Sequence, residues 1–274
     1  MGASGQRGQR RPGGLVMNRL LRNRVAFETL LRKEIRRFTR IWVQTLLPPA
    51  VTMTLYFVIF GNLIGSRVGE MGGYSYMQYI APGIIMMSVI NNAYANVVSS
   101  FFGAKFQHHI EELLVAPIPN VLILAGYVAG GMARGLLVGI IVTGVALFFT
   151  RLSVASIWVT LSTAVLTSTL FSLGGFINAV FAKKFDDISI VPTFILTPLT
   201  YLGGVFYSID LLPKFWQTVS LANPVLYMVN AFRFGILGES DVPIGVSYLV
   251  ICGFIVLLTA ISLTLLNRGT GIRS

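Results

Sequence analysis

His108, His109, Glu111 and Glu112 are the residues of this chain whose types and spacing come nearest to a metal or acid–base site. Metal ligands must converge on one point, whereas consecutive residues of a helix point about 100° apart. His108 and His109 therefore cannot hold one ion together with Glu111. Asp186 and Asp187 form a second pair of carboxylates, but they follow Lys183 and Lys184 in a short turn with no histidine beside them, where charge solvates the loop. No GxxxxGK[ST], HExxH, GxSxG or CxxC motif occurs. Cys252 is the single cysteine, which excludes an internal disulfide and a thiolate metal site. The reading is of a chain with no catalytic residue, no metal site and no cofactor of its own.

The charged stretch from Lys105 to Pro119 instead interrupts two long apolar runs. The 274 residues are 54% hydrophobic and only 11% charged, with a mean hydropathy of +0.75, far from a soluble globular composition. Runs long enough to cross about 30 Å of hydrocarbon extend roughly from Val43 to Ile64, Ile80 to Phe102, Val121 to Phe149, Val154 to Phe181, Ile188 to Tyr207 and Val246 to Leu266. They predict an all-α polytopic membrane protein of six transmembrane helices, with both ends on one side. Eleven of the 21 Lys and Arg precede Trp42. Lys105, Lys183, Lys184, Arg268 and Arg273 fall on the same side, against Arg67, Arg151, Lys214 and Arg233 on the other, so the positive-inside rule puts both termini in the cytoplasm. The net charge of +11 flanks spans, which points to anionic membrane lipids and not to nucleic acid.

Residues 1–24 read as a disordered cytoplasmic N-terminus. Over 25–42, Leu30, Leu31, Ile35, Phe38, Ile41 and Trp42 recur at steps of three and four, with Arg32, Lys33, Arg36, Arg37 and Arg40 on the other face. This predicts an amphipathic interfacial helix on the inner leaflet. It is either a positive-inside anchor alone or also a contact for a cytoplasmic partner, with Glu28 and Glu34 available for ion pairs. The six-span domain then covers 43–267, and 268–274 is a cytoplasmic tail.

Ser88, Asn92, Asn96 and Ser99 share one face of the second span, where they either hydrogen-bond between helices or line a substrate path or dimer seam. Gly131, Gly135 and Gly139 invite close helix packing. Arg134, beside them, either faces protein or water or snorkels to the inner interface. Ser156, Thr160, Thr163 and Thr167 form a small-polar packing stripe on the fourth span. Residues 208–245 hold apolar segments too short to cross, punctuated by Pro213, Asn223 and Pro224, and predict a re-entrant or interfacial helical hairpin before the last span. Trp216, Tyr227, Phe232 and Phe234 are assigned to its outer interface. The spans carry no Asp, Glu or His, so a transport reading needs energy from outside the chain.

The pattern EELLVAPIP at 111–119, followed by PLTYLGGVFYSIDLLPKFWQTVSLANPVLYMVNAFRFGILG at 198–238, resembles the membrane subunit of ABC-2 type exporters. Pro198, Gly204, Leu212, Pro213, Asn223, Pro224, Tyr227 and Arg233 fall on that family's recurrent positions, although many members have proline where Ser208 stands. The resemblance implies a permease of the bacterial cytoplasmic (inner) membrane that pairs with a second copy of itself. It implies separate ATPase subunits that bind the ATP and Mg. It makes 103–119 the coupling helix, with Lys105, His108, His109, Glu111, Glu112 and Leu114 contacting the ATPase, where Ile110, Leu113 and Leu114 are expected exposed and Pro117 and Pro119 end the helix. It also suggests a path along the first, second and fifth spans, with Asn92, Asn96, Tyr201 and Tyr207 as candidates for an amphipathic cargo such as a lipid, lipid-linked glycan or hydrophobic drug. An ATP-independent channel or membrane scaffold docking another cytoplasmic protein is the alternative.

Overall fold

The computed structural model describes residues 13–115 and 118–271, with the side chains of residues 13–19, Asn62 and Leu114 outside it. The expectation for residues 1–12 and the helix-ending role of Pro117 also lie outside the described residues. The described residues are mainly helical, with one two-stranded turn among them. Helix α1 (Gly13–Arg40) leads into a broken rod of α2 (Trp42–Thr45), α3 (Leu47–Tyr56), a π-helical stretch (Phe57–Ile64) and α4 (Gly65–Val68). Strands β1 (Glu70–Met71) and β2 (Tyr74–Ser75) then pair across Gly72 and Gly73, both at positive φ as a tight hairpin requires. There follow α5 (Tyr76–Phe106), α6 (His109–Val115), α7 (Asn120–Phe149), α8 (Ile157–Phe181), α9 (Asp187–Val191), a π turn (Pro192–Leu196), α10 (Thr197–Tyr201), α11 (Lys214–Leu221), α12 (Pro224–Leu237) and α13 (Ile244–Arg268).

Among the described residues, five helices are long and apolar enough to cross a membrane: Trp42–Val68, α5, α7, α8 and α13. The expected fifth run is shorter. Its helix over 187–201 consists of three five-residue pieces, about 22 Å at 1.5 Å per residue. Pro192, which lacks an amide proton, opens the π turn, and Gly204 at φ 69° turns the chain afterwards.

The helical start at Gly13 corrects the expectation of disorder over 13–24. Good helix formers such as Leu20, Leu21 and Arg22 extend the helix without burial, since Leu20 and Leu21 are exposed.

Helix α5 is the hub, begun by a capping box between Ser75 and Gln78. It carries more of the buried core than any other helix and meets α7 through glycines. A Cβ on Gly135 would lie 2.9 Å from Ala93 Cβ, and one on Gly139 would lie 2.7 Å from Val89, so the glycine spacing is a packing seam. The small-polar stripe of α8 likewise packs: Thr160 lies against Gly235 of α12, and Thr163 and Thr167 are buried.

The re-entrant segment is more deeply embedded than an interfacial hairpin. Asn223 caps α12 by accepting from the Val225 amide, and α12 enters the core against α5, α8 and α13. Phe232 is therefore buried, which corrects its assignment to the outer interface, while Phe215 and Trp216 on α11 are exposed.

Candidate functional site

The two ends of the bundle are chemically distinct. At one end lie α1, α6, the 182–187 turn and the end of α13, where Asn120 donates to Asn267 at 2.8 Å. At the opposite end lie the β hairpin, residues 150–156, 204–211 and 238–243.

At the α6 end the chain turns sharply after Phe106. His108 has φ 59°, a left-handed conformation that histidine tolerates better than most residues. His108 therefore precedes α6 instead of sharing a helix with His109, and its Nδ1 lies 3.1 Å from Glu111 Oε1. His109, Glu111 and Glu112 are exposed, as is His108, so this corner presents both imidazoles and two carboxylates on its surface.

Two expected features of the corner are corrected. Lys105 is not a free docking charge: its Nζ donates to Val180 O at 2.6 Å and Ala182 O at 2.8 Å, closing the last carbonyls of α8. A cation at a helix C-terminus is the favourable partner for those carbonyls. Ile110 is buried and Leu113 half-buried, because the inner face of α6 packs on α5; among the described side chains of α6, Val115, 86% exposed, is the apolar one on the outside.

Phe102, Phe106 and Phe185 add edge contacts, with Phe106 and Phe185 centroids 4.9 Å apart. The α5–α6 corner and the 182–187 turn are thus one mechanical unit. A cavity of about 520 Å³ lies between them, lined by Phe106, His108, Glu111, Lys183 and Gly271 among others. The turn itself is held by Asp187, whose Oδ2 accepts from the amides of Lys183 (2.8 Å) and Lys184 (3.0 Å). Those amides hold its carboxyl below the usual range.

Ser88, Asn92 and Asn96 of the polar stripe of α5 face inward, while Ser99 is exposed. Arg37 donates to Asn96 Oδ1 at 2.7 Å and to its carbonyl at 2.9 Å, and Arg134 donates to Asn92 Oδ1 at 3.1 Å. In one subunit Asn92 and Asn96 therefore bond between helices and do not line a path or seam.

Glu34, only 1% exposed, accepts from Ser100 Oγ at 2.6 Å and pairs with Arg37, so it is not available to an outside partner. Leu30 and Glu34 follow Gly126 and Gly130 of α7 turn for turn. The buried face of α1 thus rests on protein, while Arg32, Lys33 and Arg36 are exposed.

Tyr201 and Tyr207 lie elsewhere. Tyr207 donates to Tyr201 O at 3.0 Å, and the Tyr201 and Tyr56 hydroxyls are 3.1 Å apart. Phe60 and Phe206 stack at 4.6 Å in the same cluster. The outward side of this cluster continues into exposed Val51, Leu55, Ile59, Phe194 and Ile195. The four candidate path residues are therefore not brought together.

Sequence reasoning missed the role of Arg233, counting it as an outer-loop charge. It is fully buried in α12, its guanidinium carbon 4.0 Å above the Tyr79 ring, with Nη2 donating to Gly204 O and Nη1 3.8 Å from Asp241. Asp241 also accepts from Ile209 N at 3.3 Å, and its own amide donates to Asn230 at 2.9 Å. One arginine thus ties α12 to α5, the 204 turn and the loop before α13. An arginine in the middle of a short apolar helix was the available signal.

Residues 25–237 match the ABC-2 type transporter family. The chain is 64% identical over 251 residues to the inner membrane transport permease YadH of Escherichia coli K12, covering 91% of this chain and 98% of that protein. It is 25% identical over 219 residues to nodulation protein J of Rhizobium leguminosarum bv. viciae, covering 78% and 83% of the two chains. Similarity to nodulation protein J of Rhizobium meliloti is 22% over 242 residues, covering 86% and 91%.

Proposed function

The chain belongs to the ABC-2 type transporter family, and we propose that it is the permease subunit of an ATP-driven exporter in the bacterial inner membrane. Separate ABC ATPase subunits bind ATP and Mg and dock on α6. A second copy of the chain completes the membrane domain, and both termini face the cytoplasm.

The carrying observation is the α5–α6 corner: an exposed, charged helix that packs on α5, whose last turn is tied by Lys105 to the end of α8. A push on α6 therefore reaches α5, the most buried of the long helices, and α8 together. Moving a two-state equilibrium from 1:99 to 99:1 takes about 5.5 kcal/mol, and the ATPase contact supplies it.

A sixth crossing is assigned to the stretch from Ile188 to Tyr207. Asn178 near the end of α8 bonds Ile188 O, while Phe206 O accepts from Tyr76 at the opposite end. Short helix and turn together bridge the two ends. Because α5 is enclosed, the cargo path and the second copy are assigned to the exposed sides of α3 and 187–201, with Tyr201 and Tyr207 at its outer end. An amphipathic cargo suits this mix of aliphatic and aromatic surface.

Glu111→Arg with Glu112→Arg in the purified complex tests the docking. ATPase stimulation by the permease is expected to fall at least tenfold with membrane insertion intact. Wild-type stimulation in the double variant would remove α6 from the contact.

A further inference from the structure

The exposed face of α1 carries charge that nothing among the described residues neutralises. Among the described residues its ion pairs are Arg24–Glu28, Arg32–Glu28 and Arg37–Glu34, which leaves Arg22 and, nearer the end of the helix, Lys33, Arg36 and Arg40 exposed without one. Behind them Arg134, half-buried, bonds only the neutral oxygens of Asn92 and Thr45. The interior network of Glu34, Arg37 and Arg134 therefore keeps one uncompensated positive charge.

The basic end of α1 is followed at once by hydrocarbon-type surface. Arg36 and Arg40 lie one turn apart before the break at Ile41, whose φ −112° and ψ 38° are not helical, and beyond it Trp42, 57% exposed, Val43 and Leu47 are exposed. A cationic patch one turn from exposed aliphatic residues and a tryptophan matches a phospholipid along its length: phosphate first, then acyl chain. A soluble anion would use the first half only.

We propose that the elbow between α1 and α3 is a binding site for an anionic phospholipid of the leaflet that α1 faces. Arg36 and Arg40, assisted by Lys33, take the phosphate, and Trp42, Val43 and Leu47 take the chains. The site is independent of the transport assignment, since its chemistry needs neither ATPase nor cargo.

Native mass spectrometry of the full chain in detergent, titrated with phosphatidylglycerol or phosphatidylcholine, tests the site. Phosphatidylglycerol is expected to bind preferentially. Each basic residue near a lipid surface is worth about fivefold, so Arg36→Ala with Arg40→Ala should weaken phosphatidylglycerol about thirtyfold and leave phosphatidylcholine unchanged. Arg268→Ala, at the same end of the bundle, should leave both unchanged, and Leu47→Asn should weaken phosphatidylglycerol although no charge is lost. Equal binding of the two lipids by the wild type would overturn the site. So would an Arg268→Ala loss as large as that of the arginine pair, or competition by soluble glycerol phosphate as strong as by the lipid.

Discussion

Replacing Lys105 with methionine isolates the link between the end of α5 and the end of α8, because the unbranched stem is kept and what is lost is the terminal ammonium with its charge and donors. In the structure that ammonium makes two short bonds to Val180 O and Ala182 O. A hydrogen bond to a charged group contributes about 1.5–3 kcal/mol, but Lys105 is half-buried and water can reach these end carbonyls once it is gone. A net loss of about 1 kcal/mol per bond is the reasonable figure, about 2 kcal/mol together. Local opening at the end of α8 should then become about thirtyfold more frequent. Hydrogen exchange reads this directly at the Ala182 amide, bonded to Asn178 O at 2.9 Å, and at the neighbouring amides of Lys183 and Lys184. Lys105→Arg, which keeps charge and donors, should exchange within a few-fold of wild type. Unchanged exchange in Lys105→Met would refute the argument that this side chain joins the two elements, and with it the mechanical unit from which the transport reading proceeds.

Arg233→Met should cost about 3 kcal/mol in thermal unfolding of the detergent-solubilised protein, the low end for breaking a buried pair because Asp241 keeps other donors. Arg233→Lys should recover less than half, since one ammonium cannot cover a ring face and reach both Gly204 and Asp241; wild-type stability in either variant contradicts the assigned role. Asp187 has a folded pKa below its unfolded one, so its contribution to the 182–187 turn is complete above the ordinary aspartate range and fades as pH falls through the lowered value. Exchange of the Lys183 and Lys184 amides should accordingly quicken on acidification in the wild type and be fast and pH-flat, after correction for intrinsic rates, in Asp187→Asn.

The long spans were legible because crossing a bilayer is a local requirement on length and polarity. The runs beginning near Ile80, Val121 and Val246 lie within a few residues of α5, α7 and α13. Orientation was less legible, because it depends on what a face meets. Glu34 sat in a polar pattern yet turns inward to Ser100, Ile110 sat in a docking helix yet packs on α5, and Lys105 was a free charge until the end of α8 arrived beside it. The 187–201 stretch shows a different limit. Composition gave its apolar length, but two prolines and a left-handed glycine decide how much of that length is helix.

Helix α5 is both the least apolar of the five long helices and the most enclosed, while α13 is the most apolar and among the most exposed. That pairing has a consequence for how the protein is made. On leaving the ribosome, α5 carries Asn92 and Asn96 before Arg134 exists to receive one of them. It therefore enters lipid as a marginal segment whose residence there depends on α7 and α8 being synthesised soon after. The last helix needs no such help. Truncations ending after α5 should consequently be cleared by membrane quality control, whereas a chain lacking only α13 should still insert its hub.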